Sequence, residues 1–245
     1  SAAASGAPSE PEDERAKKEL KAPAQAGFNR FVWDMRHAEA PRVEGKDTVA
    51  ETVVPGPVVP PGQYQVTLKV GGRELTQRFE IVKDPATPAT LEDLREQYDL
   101  HMAIFRKASE AIAAINRMRD LRAQLDGWAK RAAEQPDGKP VAEAAARLKE
   151  RVLEIEKTLA VPDLRGGWGD TINNGARLLE QLLTVVEVVT LGDYRPTDQA
   201  REAAAHYSGL IDEQLGAFGR LVAEELPKLN AQIAEAGLGA VVVRA

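Results

Sequence analysis

Hydrophobic positions along this chain change period once, near Pro88, and the change separates two kinds of structure. Before Pro88 the alternation is twofold. Phe31, Trp33 and Met35 fall on one side of the segment Phe28 to Arg36, and Tyr64, Val66, Leu68 and Val70 fall on one side of Gln63 to Val70. Side chains two apart on an extended backbone share a face, so both segments predict half-buried strands. The second strand runs into Gly71-Gly72, and Glu74 to Val82 returns. Adjacent glycines supply the positive φ angles of a tight hairpin turn. Between these strands, Val53 to Pro61 holds five Pro or Gly residues, which interrupt ladder bonding and predict edge or loop structure.

Beyond Pro88 the apolar residues step by three and four. Leu91, Leu94, Tyr98, Phe105, Ala108, Ile112, Ile115, Leu121, Leu125 and Trp128 predict one long amphipathic helix, ended by Gln135 to Pro140. A second helix carries Val141, Ala145, Leu148, Val152, Ile155 and Leu159. A third runs from about Gly175 to Leu191. The fourth has Pro196 in its first turn and continues to Ile233, with a break near Glu224-Glu225 imposed by Pro227 and an end at Gly237. Short links between long helices make antiparallel neighbours. The expected fold class is α+β with separate β and α domains: a partial immunoglobulin-like β-sandwich, then an up-down four-helix bundle. Residues 1–19 read as a disordered linker, 20–84 as the sandwich, 85–88 as a connector, 89–237 as the bundle and 238–245 as a C-terminal tail. Three good strands are visible, and a fourth at most, against roughly seven in a complete sandwich. Either further strands lie between 37 and 61, or strands come from elsewhere.

Charge narrows the partners. At a formal −6, with basic and acidic residues interspersed, the chain offers no basic stripe for nucleic acid. It contains no apolar run of the ~18 residues that a membrane-spanning helix needs. Cysteine is absent, which removes disulfides, thiolate metal sites and cysteine nucleophiles. The first residues, Ser1 to Pro11, lack the basic and apolar regions of a signal peptide.

Candidate chemistry is sparse. The three histidines, His37, His101 and His206, have no partners at metal-ligand spacing, so no metal and no cofactor is expected. Glu92-Asp93, Glu150, Glu154, Glu156 and Glu224-Glu225 interleave with Arg and Lys at helical spacing, the pattern of solvated polar faces. A glycosidase pair would need two carboxylates flanking one bond, and no catalytic residue is assigned. The loop Arg165-Gly166-Gly167-Trp168-Gly169-Asp170 is the candidate binding element, with Arg165, Trp168 and Asp170 as its functional side chains. An aromatic among glycines can stack on a carbohydrate or dock a protein; the alternative is a tryptophan folded back over the bundle end. Trp33 alternates with Phe31 and Met35 and is expected in the core, while Arg30, Val32, Asp34 and Arg36 share the opposite face.

Three stretches carry a family likeness: Ala26-Gly27-Phe28-Asn29-Arg30-Phe31-Val32-Trp33-Asp34-Met35-Arg36, then Gly56-Pro57-Val58-Val59-Pro60-Pro61-Gly62-Gln63-Tyr64-Gln65-Val66, then Asp84-Pro85. Their structural motif residues are Asn29, Arg30, Trp33, Asp34, Gly62 and Tyr64. Together they resemble the C-terminal region of large bacterial proteins labelled glycosyl hydrolases of the Asp-box (BNR) repeat or sortilin-type β-propeller class. Asp193-Tyr194-Arg195-Pro196-Thr197 and Leu229-Asn230 fit the helical part of that region, and the likeness covers about residues 20 to 240. The resemblance implies propellers and first sandwich strands upstream, with residues 1 to 20 as the intervening loop. It also implies export to the periplasm or the extracellular space. No repeat of the form Ser-x-Asp-x-Gly-x-x-Trp occurs in these residues, so glycosidase activity does not carry over. The leading expectation is a non-catalytic accessory and interaction region of a larger propeller protein. The partner is then another protein or the remainder of the same polypeptide. Two alternatives stand beside it: part of a glycoside hydrolase with its chemistry upstream, and a scaffold subunit whose sandwich strands come from another chain.

Overall fold

A computed structural model of the chain describes residues 2–3, 22–45, 53–162 and 175–237. The architecture is mixed α+β. Its strands are β1 (Ala2–Ala3), β2 (Gly62–Val70) and β3 (Arg73–Ile81), in the order β1-β2-β3. Its helices are α1 (Leu91–Ala133), α2 (Lys139–Leu159), α3 (Leu178–Val189), α4 (Asp198–Glu224) and α5 (Leu226–Glu235).

The hairpin forms where the glycines place it. Gly71 and Gly72 take φ of 55° and 74°, the paired positive values of a two-residue primed turn. Tyr64 then stands opposite Phe79, Val66 opposite Gln77 and Leu68 opposite Leu75. One face of the hairpin is thereby mostly apolar. The other carries a hydroxyl contact of 3.0 Å between Thr67 and Thr76 and a Lys69–Glu74 ion pair, so it is complete in water.

The segment Phe28 to Arg36 departs from expectation. It alternates as a strand should, but among the described residues it makes no ladder, and its one bridge joins Arg36 to Val58. Locally, Asn29 folds its amide side chain back onto the backbone of Gln25 and Gly27, and Met35 sits at φ 59°. The result is a bent, largely exposed segment, with Phe31 and Met35 outside the core and Trp33 half-buried. Beyond it the chain runs alongside Val54 to Val59, through His37 N–H to Pro57 O, Ala40 N–H to Val54 O, and Val59 N–H to Met35 O. Gly56 is required here, because a Cβ would lie 2.1 Å from the carbonyl oxygen of His37.

α1 opens on a capping box. The Thr90 hydroxyl accepts from Asp93 N–H, and the Asp93 carboxylate accepts from Thr90 N–H at 2.9 Å. Arg195 reaches the same carboxylate at 2.8 Å, tying the start of α1 to the loop before α4. The buried stripe of α1 includes Ile104, Ala108, Ile115, Met118, Leu121 and Leu125, and α2, α3 and α4 pack around it while α5 packs on α2 and α4. Small residues at Ala108, Ala111 and Ala114, all fully buried, leave room for close helix approach. Pro196 lies before the N-cap, not in the first turn: Thr197 caps α4 by accepting from Ala200 N–H, and Pro196 sits one residue earlier. The break at Glu225 and the left-handed Gly237, φ 74°, fall where the sequence places them.

The β-rich part attaches to α1 through the excursion after His37. Ala40, Val43 and Val54 belong to the same buried cluster as the helices. Asn116 accepts from Glu44 N–H at 2.8 Å and donates to Arg42 O at 2.9 Å, while Arg119 Nη1 donates to Glu44 O. Core and hairpin should respond differently to truncation. Leu121→Ala, at a fully buried position, is expected to cost about 2–5 kcal/mol in urea unfolding. Leu68→Ala, on the exposed part of the hairpin, should stay within about 0.5 kcal/mol. Equal losses at both positions would contradict this division.

Candidate functional site

Among the described residues, the apolar face of the hairpin is covered at one end only. There Trp33 meets Tyr64 and Phe79 edge-on, with ring centroids 6.2 and 6.4 Å away, and Tyr64 and Phe79 stack at 5.9 Å. The polar tips of two of these aromatics are satisfied: Trp33 Nε1 donates to Arg36 O at 3.0 Å and the Tyr64 hydroxyl donates to Pro60 O at 2.5 Å. Past this cluster no described residue covers the face. Val66, Leu68, Val70 and Leu75 are 43%, 48%, 58% and 61% exposed on a continuous strip. Single exposed aliphatics are ordinary; four neighbours on the apolar side of a hairpin form one contiguous exposed apolar patch.

The motif residues divide around this cluster. Trp33, Gly62 and Tyr64 belong to it or flank it. Asn29 closes the turn before it. Asp34 accepts from Arg36 N–H at 3.0 Å, and the Arg36 side chain donates to Gly56 O at 3.1 Å, so these two hold backbone instead of facing a ligand. Arg30 is exposed. The candidate binding residues Arg165, Trp168 and Asp170 lie outside the described residues.

Glu156 corrects the reading of the helical carboxylates. It faces the core, fully buried, and receives Arg119 Nε at 2.8 Å and Arg122 Nη1 on its two oxygens. The signal was present in spacing, since Val152, Glu156 and Leu159 share one apolar stripe of α2. Both oxygens are engaged by guanidinium groups, which suits a structural clamp on α1 and not a proton donor. Beside it, a shallow open cavity of ≈ 310 Å³ is lined by Arg122, Leu153, Lys157, Val161, Pro162 and Arg177. Among the described residues, no group of three or more His, Asp or Glu side chains could hold a metal ion, and no helix is long and apolar enough to cross a membrane.

Two histidines sit where the β-rich part meets α1. His37 Nε2 lies 2.8 Å from the Tyr98 hydroxyl. Burial lowers the pKa of both imidazoles, that of His101 to about 4, where the nearby Arg36 charge adds to the effect. On the acidic side, hydrogen bonds from Thr90 N–H, the Thr90 hydroxyl and Arg195 bring Asp93 down to about 2.

Comparison with protein-family models, with curated proteins and with solved structures finds no match to this chain.

The histidines give stability a pH window. Between pH 6.5 and about 4 the unfolded chain binds protons that folded His101 does not, so stability falls as pH is lowered through this range. The depressed aspartate extends the loss from 3.8 toward 2. Urea midpoints measured across pH should therefore decline from pH 6.5 to 4, and His101→Gln should flatten that part of the curve. A flat wild-type profile would contradict the assignment.

Proposed function

We propose that this chain is a non-catalytic interaction region of a larger assembly, its β-rich part an incomplete immunoglobulin-like sandwich and its helices an up-down four-helix bundle that anchors it. The observation that carries the reading is the half-covered hairpin. A sheet with one polar, finished face and one apolar, open face has its missing layer outside the described residues. The alternating but unladdered segment Phe28 to Arg36 supports the same reading, since it has a strand's pattern without a strand's neighbours. The inward-facing polar groups support it too: Glu156, buried, and His37 and Tyr98, half-buried, are spent on packing and on the junction between the two parts.

The resemblance to the C-terminal region of Asp-box propeller proteins makes the rest of one polypeptide the natural source of that layer, placing any glycoside chemistry in the parent protein. A scaffold subunit completed by another chain differs only in where the strands come from. Intact-mass and denaturing-gel analysis of material from the native source separates these. Recovery of this sequence within a longer polypeptide supports the accessory region, and a stoichiometric companion chain supports the scaffold subunit. A single species of 26.6 kDa, monomeric and without companion, would overturn both.

A further inference from the structure

We propose that residues 37–44 form a strap along α1 with one proton-operated end. Protonation of His37 and His101 frees that end from the helix, while the other end and the helices stay in place. The inference concerns how the β-rich part is held on α1 and stands independently of what completes the hairpin.

The strap is read from helix phase and length. Tyr98 and Asn116 lie five full turns apart on α1, about 27 Å, so both project from one flank of the helix. Tyr98 meets His37, and Asn116 meets Arg42 and Glu44. From His37 to Glu44 a fully extended backbone reaches ~25 Å. The segment is therefore nearly straight along the helix, with its Ala40 and Val43 side chains buried and Glu39 and Arg42 exposed.

Different chemistry fastens the two ends. At the Glu44 end, Asn116 accepts from Glu44 N–H at 2.8 Å and donates to Arg42 O at 2.9 Å, and Arg119 Nη1 donates to Glu44 O. An amide and a guanidinium keep their protonation state across ordinary pH. At the other end, His37 Nε2 lies 2.8 Å from the Tyr98 hydroxyl, with ring centroids 5.8 Å apart, and His101, 7% exposed, follows one turn along α1. The charge acting on His101 is that of Arg36, while Arg95 of α1 acts on Tyr64 and Asp99 of α1 on Tyr98. On α4, Arg201 and Asp212 are spent in pairs with Glu96 and Lys107, and His206 is exposed; on α3, Glu187 is exposed. Among the described residues no carboxylate pairs with either imidazole, so a proton arriving there adds to the Arg36 charge in a buried place.

Acid therefore favours the released end. Held at about 4 on the helix and returning to 6.5 when freed, His101 raises the opening equilibrium about 30-fold between about pH 7.5 and 5. Burial lowers His37 as well, which acts in the same direction. Asp93 and Asp126, both brought down to about 2, stay ionised throughout this range.

Thiol labelling with a dithiodipyridine reagent tests this in the full chain, which has no cysteine of its own. Rates for Ala40→Cys, Val43→Cys and Ala108→Cys, each divided by that of a short unstructured peptide at the same pH, read the local opening equilibria. Ala40→Cys should label about 30-fold faster at pH 5 than at pH 7.5. At pH 5 it should also outpace Val43→Cys by about tenfold or more and Ala108→Cys by about a hundredfold or more. Adding His101→Gln should cut the rise with acid to below about tenfold, and adding His37→Gln as well should cut it to below about threefold. An Ala40→Cys rate equal to that of Val43→Cys or Ala108→Cys overturns the one-ended strap, since the whole strap, or the whole chain, would then open at once. A rise below about tenfold with both histidines present, or one undiminished by either glutamine, overturns the assignment of the latch to His37 and His101.

Discussion

The helical part of the described structure is built on the buried stripe of α1. The helix has 43 residues, a length of ~65 Å, and its apolar side receives α2, α3 and α4. It also receives Ala40, Val43 and Val54 from the irregular excursion of the β-rich part. A helix as short as α3, with 12 residues, is marginal in water on propensity alone, and packing on this stripe stabilises it. Glu156 fixes α2 on this stripe through Arg119 and Arg122, and Asp93, with Arg195, fixes its first turn to the approach of α4. Removing one partner of the buried Glu156 cluster would leave an uncompensated charge in the core, so breaking it is strongly destabilising.

The hairpin is organised by a different constraint. It touches the rest through the Trp33–Tyr64–Phe79 cluster at its base, and its outer half projects with an apolar side in water. Hairpins of this length are marginal without a third strand or a packed layer. The polar side shows that the sequence can finish a face when it needs to. Glutamine, threonine and a Lys69–Glu74 pair stand there, whereas valine and leucine stand opposite. The apolar side is thus left exposed among the described residues, and that exposure is what supports the proposed partner surface.

Much of the fold was legible in the sequence because its signals are local. Gly71-Gly72 dictates the turn, the three-and-four spacing from Leu91 onward dictates α1, and Pro227 and Gly237 interrupt and end the last helices at the positions read from sequence. Phe28 to Arg36 misled because alternation reports which side of an extended chain is apolar, while a strand also needs a neighbour to bond. Glu156 misled in the opposite way. Among many helical carboxylates it looked solvated, and only its register with Val152 and Leu159 revealed a core position. The aromatic cluster at the hairpin base was half visible: Trp33 and Tyr64 were singled out, but their contact with Phe79 is long-range and no local pattern announces it.

The central claim is that the strip on the hairpin is a partner surface, and thiol labelling reads it most directly. The chain has no cysteine, so Leu68→Cys or Leu75→Cys places a single reporter on the strip without background. In the isolated chain both thiols should react at the rate of an exposed cysteine, and in the native assembly both should be protected. Fast reaction in isolation with undiminished reaction in the native assembly would show that nothing covers the strip, and would contradict the account.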